Sequence, residues 1–342
     1  RVEVTDLGAS QLPIAFPAFR GELTSPHSIS PIVRADLERS GQFRGNALAT
    51  PMDELARPDF TSLKLKGDEA LLTGSVTKLA DGRFDIRFRL WDLVRGQDLG
   101  GQSFATPTGD LRMIAHRISD FIYEKLTGEK GVFSTRIAYV TATGLGQGIE
   151  YRLMVADSDG FNPQTLVRSR EPLLSPAWSP DGKRIAYVSF QKGSSAVYIV
   201  ELATGVGATD PVSSAKGING APAFSPDGTK LALTLSKSGN PEIYVMDIAS
   251  RALKQVTTHF GIDTEAVWMP DGQSLLFTSD RGGKPQIYQV SASGGEAKRI
   301  SFSGEYNARA TVSFDGKKIA MAQGAGNVYR IAVLDRSFGG SG

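Results

Sequence analysis

The stretch AWSPDGKRIAYVS (Ala177–Ser189) decides the reading of this chain, because it is written again with small changes. AFSPDGTKLALTL occupies Ala223–Leu235, and VWMPDGQSLLFTS occupies Val267–Ser279. Each copy is a turn followed by an apolar strand. Aligned on that strand, the repeat starts at Arg136, Arg184, Lys230, Ser274 and Lys318, in steps of 48, 46, 44 and 44 residues. A second landmark keeps step: YRLMVAD from Tyr151, VYIVEL from Val197, IYVMDI from Ile243, IYQVSA from Ile287 and VYRIAVLD from Val328. A period of about 40–50 residues holding several short strands is the mark of a β-propeller. A single blade cannot bury both of its faces, so successive blades must stack around an axis.

The turn has its own mechanism. Pro180 presets a turn-compatible φ, Asp181 can accept a bond from a nearby backbone N–H, and Gly182 tolerates positive φ. Pro226-Asp227-Gly228 and Pro270-Asp271-Gly272 repeat this, and Phe314 replaces proline in the copy that ends Asp315-Gly316. The turn survives the loss of proline, so the repeated aspartates read as turn residues. A metal or catalytic role would need the hairpin tips to converge, whereas blade geometry spreads them around a rim. Trp178, Phe224 and Trp268, just before the turns, are expected to fill the space between blades. DSDG (Asp157–Gly160) is a fragment of a calcium-loop pattern without its later carboxylates, and it too reads as a turn.

Before the repeats the pattern differs. LPIAFPAF (Leu12–Phe19) suits a buried strand. A helix is expected from Ser30, with Pro31 in its first turn, Ile32, Val33 and Leu37 on its apolar face and Gly41 at its end. ALLTGSVTKL and RFDIRFRLWDL, joined through Ala80-Asp81-Gly82, predict a hairpin. In its second strand Phe84, Ile86, Phe88 and Leu90 alternate with Asp85, Arg87 and Arg89. A second helix spans about Asp110 to Leu126, with a stripe of Leu111, Ile114, Ala115, Ile118, Ile122 and Leu126 and a stop at Gly128. Helices on a small mixed sheet follow, so the fold class is a mixed α/β domain ahead of an all-β propeller.

The 342 residues are 40% hydrophobic and 22% charged with a net charge of +2, a globular composition without the clustered basic face of a nucleic-acid binder. No apolar run reaches the ~18 residues of a membrane span. The absence of cysteine excludes disulfides and thiolate chemistry. The start at Arg1, with no leader, suits a mature processed chain. Of the three histidines, His27 and His259 fall in connecting segments and His116 falls mid-helix, off the apolar stripe. None has a partner at metal-ligand spacing, so all three read as surface or turn residues, and no metal or cofactor is expected. No G-x-S-x-G elbow, Walker loop or dinucleotide fingerprint is present, and GLGQG (Gly144–Gly148) reads as a hairpin tip. The sequence contains no catalytic constellation.

An α/β domain followed by KGVFSTRIAYV, LLSPAWSPDGKRIAYVSF, NGAPAFSPDGTKLAL and DTEAVWMPDGQSLLFTSDRGGKPQIY resembles the TolB family, periplasmic proteins of the Tol–Pal envelope system of Gram-negative bacteria. The resemblance covers nearly the whole chain. It implies an α/β domain over residues 1–129 and a propeller over 130–342. The family propeller has six blades, and this chain shows about five, the last incomplete, which is expected to leave sheet edges exposed. It further implies a non-enzymatic, monomeric periplasmic adaptor that links TolA of the inner-membrane assembly to the lipoprotein Pal. Such an adaptor supports outer-membrane integrity and division, and other outer-membrane proteins and colicins are further partners.

Two surfaces carry over from the family. The TolA-binding segment corresponds to Val2, Glu3, Val4, Thr5 and Asp6, less acidic and less valine-rich than the family version and able to add to a sheet edge. The Pal face corresponds to the loops before the AP-[WF]-SPDG strands: Ser175 and Pro176, Ile218, Asn219, Gly220 and Ala221, Asp263, Thr264 and Glu265, then Asn307 and Ala308. Ile218 stands where the family often has histidine. The alternative is a propeller enzyme or glycan-binding module with its site at a channel mouth.

Overall fold

The computed structural model describes residues 11–204, 209–326 and 328–337. The first compact unit runs to Ile137 and includes Ala156–Asn162. Its strands are β1 (Leu12–Phe19), β2 (Phe43–Met52), β3 (Ala70–Lys78), β4 (Phe84–Asp92) and β5 (Gln97–Thr106), and its helices are α1 (Ile29–Arg39), α2 (Phe60–Leu65) and α3 (Leu111–Thr127). They form one mixed sheet in the order β2-β1-β3-β4-β5, with β1 parallel to both neighbours and the rest antiparallel. The period of two sorts the two faces. Ile14, Phe16, Leu72, Val76, Phe84, Ile86, Phe88 and Leu90 pack with the stripes of α1 and α3, while Ala15 and Leu71 meet Leu63 of α2 on the other face.

The hairpin and both long helices match their sequence patterns, and Gly128 ends α3 at φ 78°. β2, α2 and β5 carry weaker patterns and were not anticipated. α1 begins one residue before Ser30, and its free N–H groups are capped from elsewhere in the chain. The buried Glu22 carboxylate accepts the N–H of Ile29 (3.1 Å) and of Ser30 (3.0 Å), and the Ser30 hydroxyl (2.6 Å).

His116 corrects the expectation of a surface histidine: it is 0% exposed. α1 and α3 pack against each other as well as on the sheet, so α3 buries a second face that its apolar stripe does not mark. On that face the buried Asp36 Oδ2 accepts His116 Nδ1–H (2.6 Å) and the Ser119 hydroxyl (2.8 Å), and Asp36 Oδ1 accepts from Arg39 (3.2 Å).

The second unit holds Ala138–Val155 and the chain from Pro163 onward. Its strands are β6 (Arg136–Thr143), β7 (Glu150–Asp157), β8 (Gln164–Ser169), β9 (Leu173–Trp178), β10 (Arg184–Ser189), β11 (Ala196–Glu201), β12 (Asn219–Phe224), β13 (Lys230–Leu235), β14 (Glu242–Asp247), β15 (Leu253–Gln255), β16 (Asp263–Trp268), β17 (Ser274–Ser279), β18 (Gln286–Ser291), β19 (Lys298–Arg299), β20 (Tyr306–Val312), β21 (Lys318–Ala325) and β22 (Val328–Asp335). Among the described residues they form small sheets of consecutive strands, the repeat of a propeller. The five aligned repeat starts are the first residues of β6, β10, β13, β17 and β21. Phe224 packs with Ala186 and Val188 of the preceding sheet, and Trp268 packs with Ala232, Ile243 and Val245 of the sheet before it. Those aromatics therefore do fill the space between sheets. β22 leaves Val328, Tyr329, Ile331 and Val333 exposed.

Each repeated aspartate is engaged within its own turn. Asp181 Oδ1 accepts Lys183 N–H (3.1 Å) and the Ser179 hydroxyl (2.5 Å), whose oxygen in turn accepts Arg184 N–H (2.9 Å). Ser225–Asp227 and Ser313–Asp315 repeat this hub, while Met269 takes the place of serine before Asp271. Successive tips also touch. A Cβ at Gly228 would lie 3.3 Å from Pro180, and the Arg184 guanidinium donates to Gly228 O (3.0 Å).

The bonds from Ser225 and from the amide and hydroxyl of Thr229 hold the Asp227 carboxyl down at about 2. A carboxyl lowered in the folded state stabilises that state above its unfolded value, near 4, and the contribution disappears as pH falls through about 2. Carboxyl-carbon NMR titration should show that midpoint for Asp227, and Ser225→Ala should move it upward. An ordinary aspartate midpoint in the parent chain would remove the hub.

Candidate partner-binding face

The residues expected in loops before the repeat strands lie inside those strands. Ser175 and Pro176 belong to β9, Asn219–Ala221 to β12, Asp263–Glu265 to β16, and Asn307 and Ala308 to β20. They read as loops because each strand is interrupted. Pairing with the next strand breaks between Gly220 and Ala223, between Thr264 and Val267, and between Ala308 and Thr311, and the β9 pairing breaks at the equivalent place. At each break one non-glycine residue takes a left-handed backbone: Ser175 (φ 49°), Ala221 (44°), Glu265 (55°) and Arg309 (55°). All four stand three residues before the strand's last residue. Each costs on the order of 1–2 kcal/mol, and such a bulge bends its strand and redirects a side chain.

Side chains of the neighbouring strands hold two of these bulges. Glu265 N–H donates to Thr234 Oγ1 (3.3 Å) and Arg309 N–H donates to Thr278 Oγ1 (3.1 Å), in each case to the central strand of the preceding sheet. Val188 occupies the equivalent position for Ala221 and has no hydroxyl to accept. Buried polar residues anchor the strand starts. Asn219 Oδ1 accepts from the Ser213 hydroxyl (2.8 Å) and from Ala215 N–H (2.9 Å). Asp263 accepts from Arg281 (2.5 Å). Asn307 donates to Gln286 Oε1 (2.8 Å) and accepts from Gln323 (3.2 Å).

The sequence-derived set therefore divides. Asn219, Asp263, Asn307 and Ala308 are closed to solvent and position the strands. Ser175, Pro176, Gly220, Ala221, Thr264 and Glu265 are half-buried, and Ile218 is exposed. The structure adds residues that sequence reading missed. Ile262 occupies the register of Ile218, one residue before its strand, and Phe260 (88% exposed) and Phe302 lie in the same inter-strand segments. The repeat alignment could have found Ile262. Arg309, largely exposed, pairs with Glu265 across neighbouring strands at 2.8 Å. Exposed aliphatic and aromatic groups in the segments leading into these strands, with an ion pair between two of the strands, suit docking of a protein surface. Val2, Glu3, Val4, Thr5 and Asp6 lie outside the described residues.

Comparison with known proteins agrees with this architecture. A family model described as the TolB amino-terminal domain matches residues 1–99, and one described as the TolB beta propeller domain matches residues 123–341. A protein of Xanthomonas oryzae pv. oryzae named Tol-Pal system protein TolB is 53% identical over 99% of this chain and 78% of its own length. A protein of the same name from Albidiferax ferrireducens is 58% identical over 60% of this chain, and the match spans 48% of that relative, about half its length. The crystal structure of TolB from Acinetobacter baumannii superposes with a TM-score of 0.86 at 41% identity, covering 95% of this chain and 80% of that one. Among the described residues no helix is long and apolar enough to cross a membrane. With both of its parts matched and more than half of its residues identical to a relative over nearly its full length, the chain belongs to the TolB family.

Proposed function

We propose that this chain is a non-catalytic periplasmic adaptor of a Tol–Pal system, and that the bulged ends of β9, β12, β16 and β20 receive the lipoprotein Pal. The observation that carries the reading is the recurrence of one device. A left-handed residue sits at the same place in each of the four strands, with exposed apolar residues just before β12 and β16. Strain repeated in four strands, and held in two of them by threonines of the preceding sheet, belongs to a surface with a role beyond folding. Family membership names the system whose partners are to be tried. The segment Val2–Asp6 is the proposed strand donor to TolA, since an alternating five-residue piece can extend a sheet edge.

Calorimetry with the periplasmic domain of Pal tests the face. Thr264→Trp and Phe260→Glu should each weaken binding by tenfold or more, about 1.4 kcal/mol. Phe314→Ser, at an exposed turn at the other end of the strand, should leave it unchanged. Removing residues 1–6 should abolish TolA binding and spare Pal. Equal Pal affinity in all variants would remove the face, and no Pal binding by the parent chain would remove the function.

A further inference from the structure

We propose that His116, Asp157 and Asp159 form a binding site for a divalent transition-metal ion, zinc fitting best. His116 Nε2 and one carboxylate oxygen from each aspartate lie within 4.8 Å of one another. All three belong to the first unit, which includes Ala156–Asn162. The proposal does not depend on the adaptor reading.

The hydrogen bonds around His116 fix its chemistry. Asp36 Oδ2 can only accept, so Nδ1 carries the proton that bridges the 2.6 Å contact. In the neutral ring Nε2 is then left with its lone pair. It is buried and has no hydrogen-bond partner among the described residues, and Asp159 Oδ2 stands 3.9 Å away, beyond hydrogen-bond reach. A buried nitrogen without a partner is costly in a folded protein unless something completes it. A carboxylate on the far ring nitrogen is the arrangement that orients metal-binding histidines and raises their basicity.

The two aspartates come from the DSDG turn. Asp157 N–H donates to Phe161 O (3.0 Å), Gly160 N–H donates to Asp157 O (2.8 Å), and Gly160 takes φ 82°, which turns Asp157 and Asp159 toward α3. The Asp157 side chain is half-buried, with no hydrogen bond or ion pair among the described residues. Asp159 is held from outside: Oδ1 accepts Phe161 N–H (3.0 Å), and Oδ2 meets the Arg112 guanidinium, which stacks over the Phe161 ring at 3.8 Å. Oδ2 keeps a second lone pair for an ion. Among the described residues the cations paired with this group are Arg39, on Asp36, and Arg112, on Asp159, which leaves an excess of negative charge when His116 is neutral.

Ligands about 2.0–2.2 Å from a tetrahedral zinc ion are separated by roughly 3.4 Å, so rotations of the aspartate side chains bring the three atoms into place. An imidazole nitrogen with two carboxylates favours zinc or a similar first-row ion over calcium or magnesium, which take oxygen ligands. Three protein ligands leave the fourth position to water. A bound ion would tie the 156–162 segment to α3. The sequence reading expected no metal because no ligand lies near His116 in the chain, and Asp157 and Asp159 are forty residues away.

Zinc binding to the chelator-treated full chain, followed by calorimetry and by metal content after desalting, tests the site. The chain has no cysteine and three histidines, so background binding is low. One equivalent should bind and raise the unfolding temperature. Asp157→Asn should weaken binding at least tenfold while the metal-free variant unfolds like the metal-free parent, because that side chain has no bond to lose. His116→Gln should abolish binding. Nitrogen NMR should show Nδ1 protonated and Nε2 shifted by zinc. No stoichiometric binding, undiminished binding in Asp157→Asn, or an Nε2 that keeps a proton with zinc present would overturn the proposal.

Discussion

Replacing Asp36 by alanine should lower the stability of the first unit by about 2–3 kcal/mol, the upper range for stripping a buried donor of its charged acceptor. Asp36 is 0% exposed and accepts from His116 Nδ1, the Ser119 hydroxyl and Arg39. Without it, His116 Nδ1–H loses its acceptor inside the packing of α1 on α3, where water does not compensate. Ser119 keeps a bond to Ala115 O (3.1 Å) and Arg39 is half-exposed, so most of the loss falls on the histidine. Asp36→Asn keeps an acceptor and should lose less. Urea unfolding followed through Trp91, a residue of the same unit, should show a midpoint lower by about 1 M or more for the alanine variant. A loss below about 1 kcal/mol would mean that α1 and α3 are held by their apolar stripes alone.

Trp268→Ala should cost about 3–5 kcal/mol in the second unit, the usual range for emptying a buried tryptophan site. The ring is 6% exposed, it packs between Leu275 and Phe277 of its own sheet and Ala232, Ile243 and Val245 of the preceding one, and its Nε1–H donates to Ala223 O (3.1 Å). Removing it opens a cavity between sheets and takes away the indole's hydrogen bond to that carbonyl. Trp178 occupies the same register but is only half-buried, so Trp178→Ala should cost clearly less. Calorimetric unfolding of the two variants side by side checks the order. Equal losses would show that position in the repeat, not burial between sheets, sets the contribution.

Legibility followed how local the signal is. The alternation in Phe84–Leu90 and the stripe of α3 report which face is buried, because strand and helix periods project directly onto one dimension. β2 and β5 were missed because as edge strands they bury little, and their alternation is weak. The serine of the SPDG turn was visible, but its role as the hub joining Asp181 to Arg184 N–H appears only when the turn closes. At the candidate face the named positions recur at equivalent places in successive sheets, but their local structure differs from the loops expected. Residues read as loops are strand residues beside a bulge, and four of the named positions are buried anchors.

The spacing of AWSPDGKRIAYVS and its copies was enough to determine a stack of small sheets behind an α/β domain. Turn chemistry and strand period are short-range, and the repeat wrote them several times. Tertiary structure alone decided what the polar residues do. His116 became a buried group facing Asp157 and Asp159, and Glu265 came to pair with Arg309 across sheets. Those pairings join residues forty or more positions apart, and packing, which no local period records, sets which of them meet.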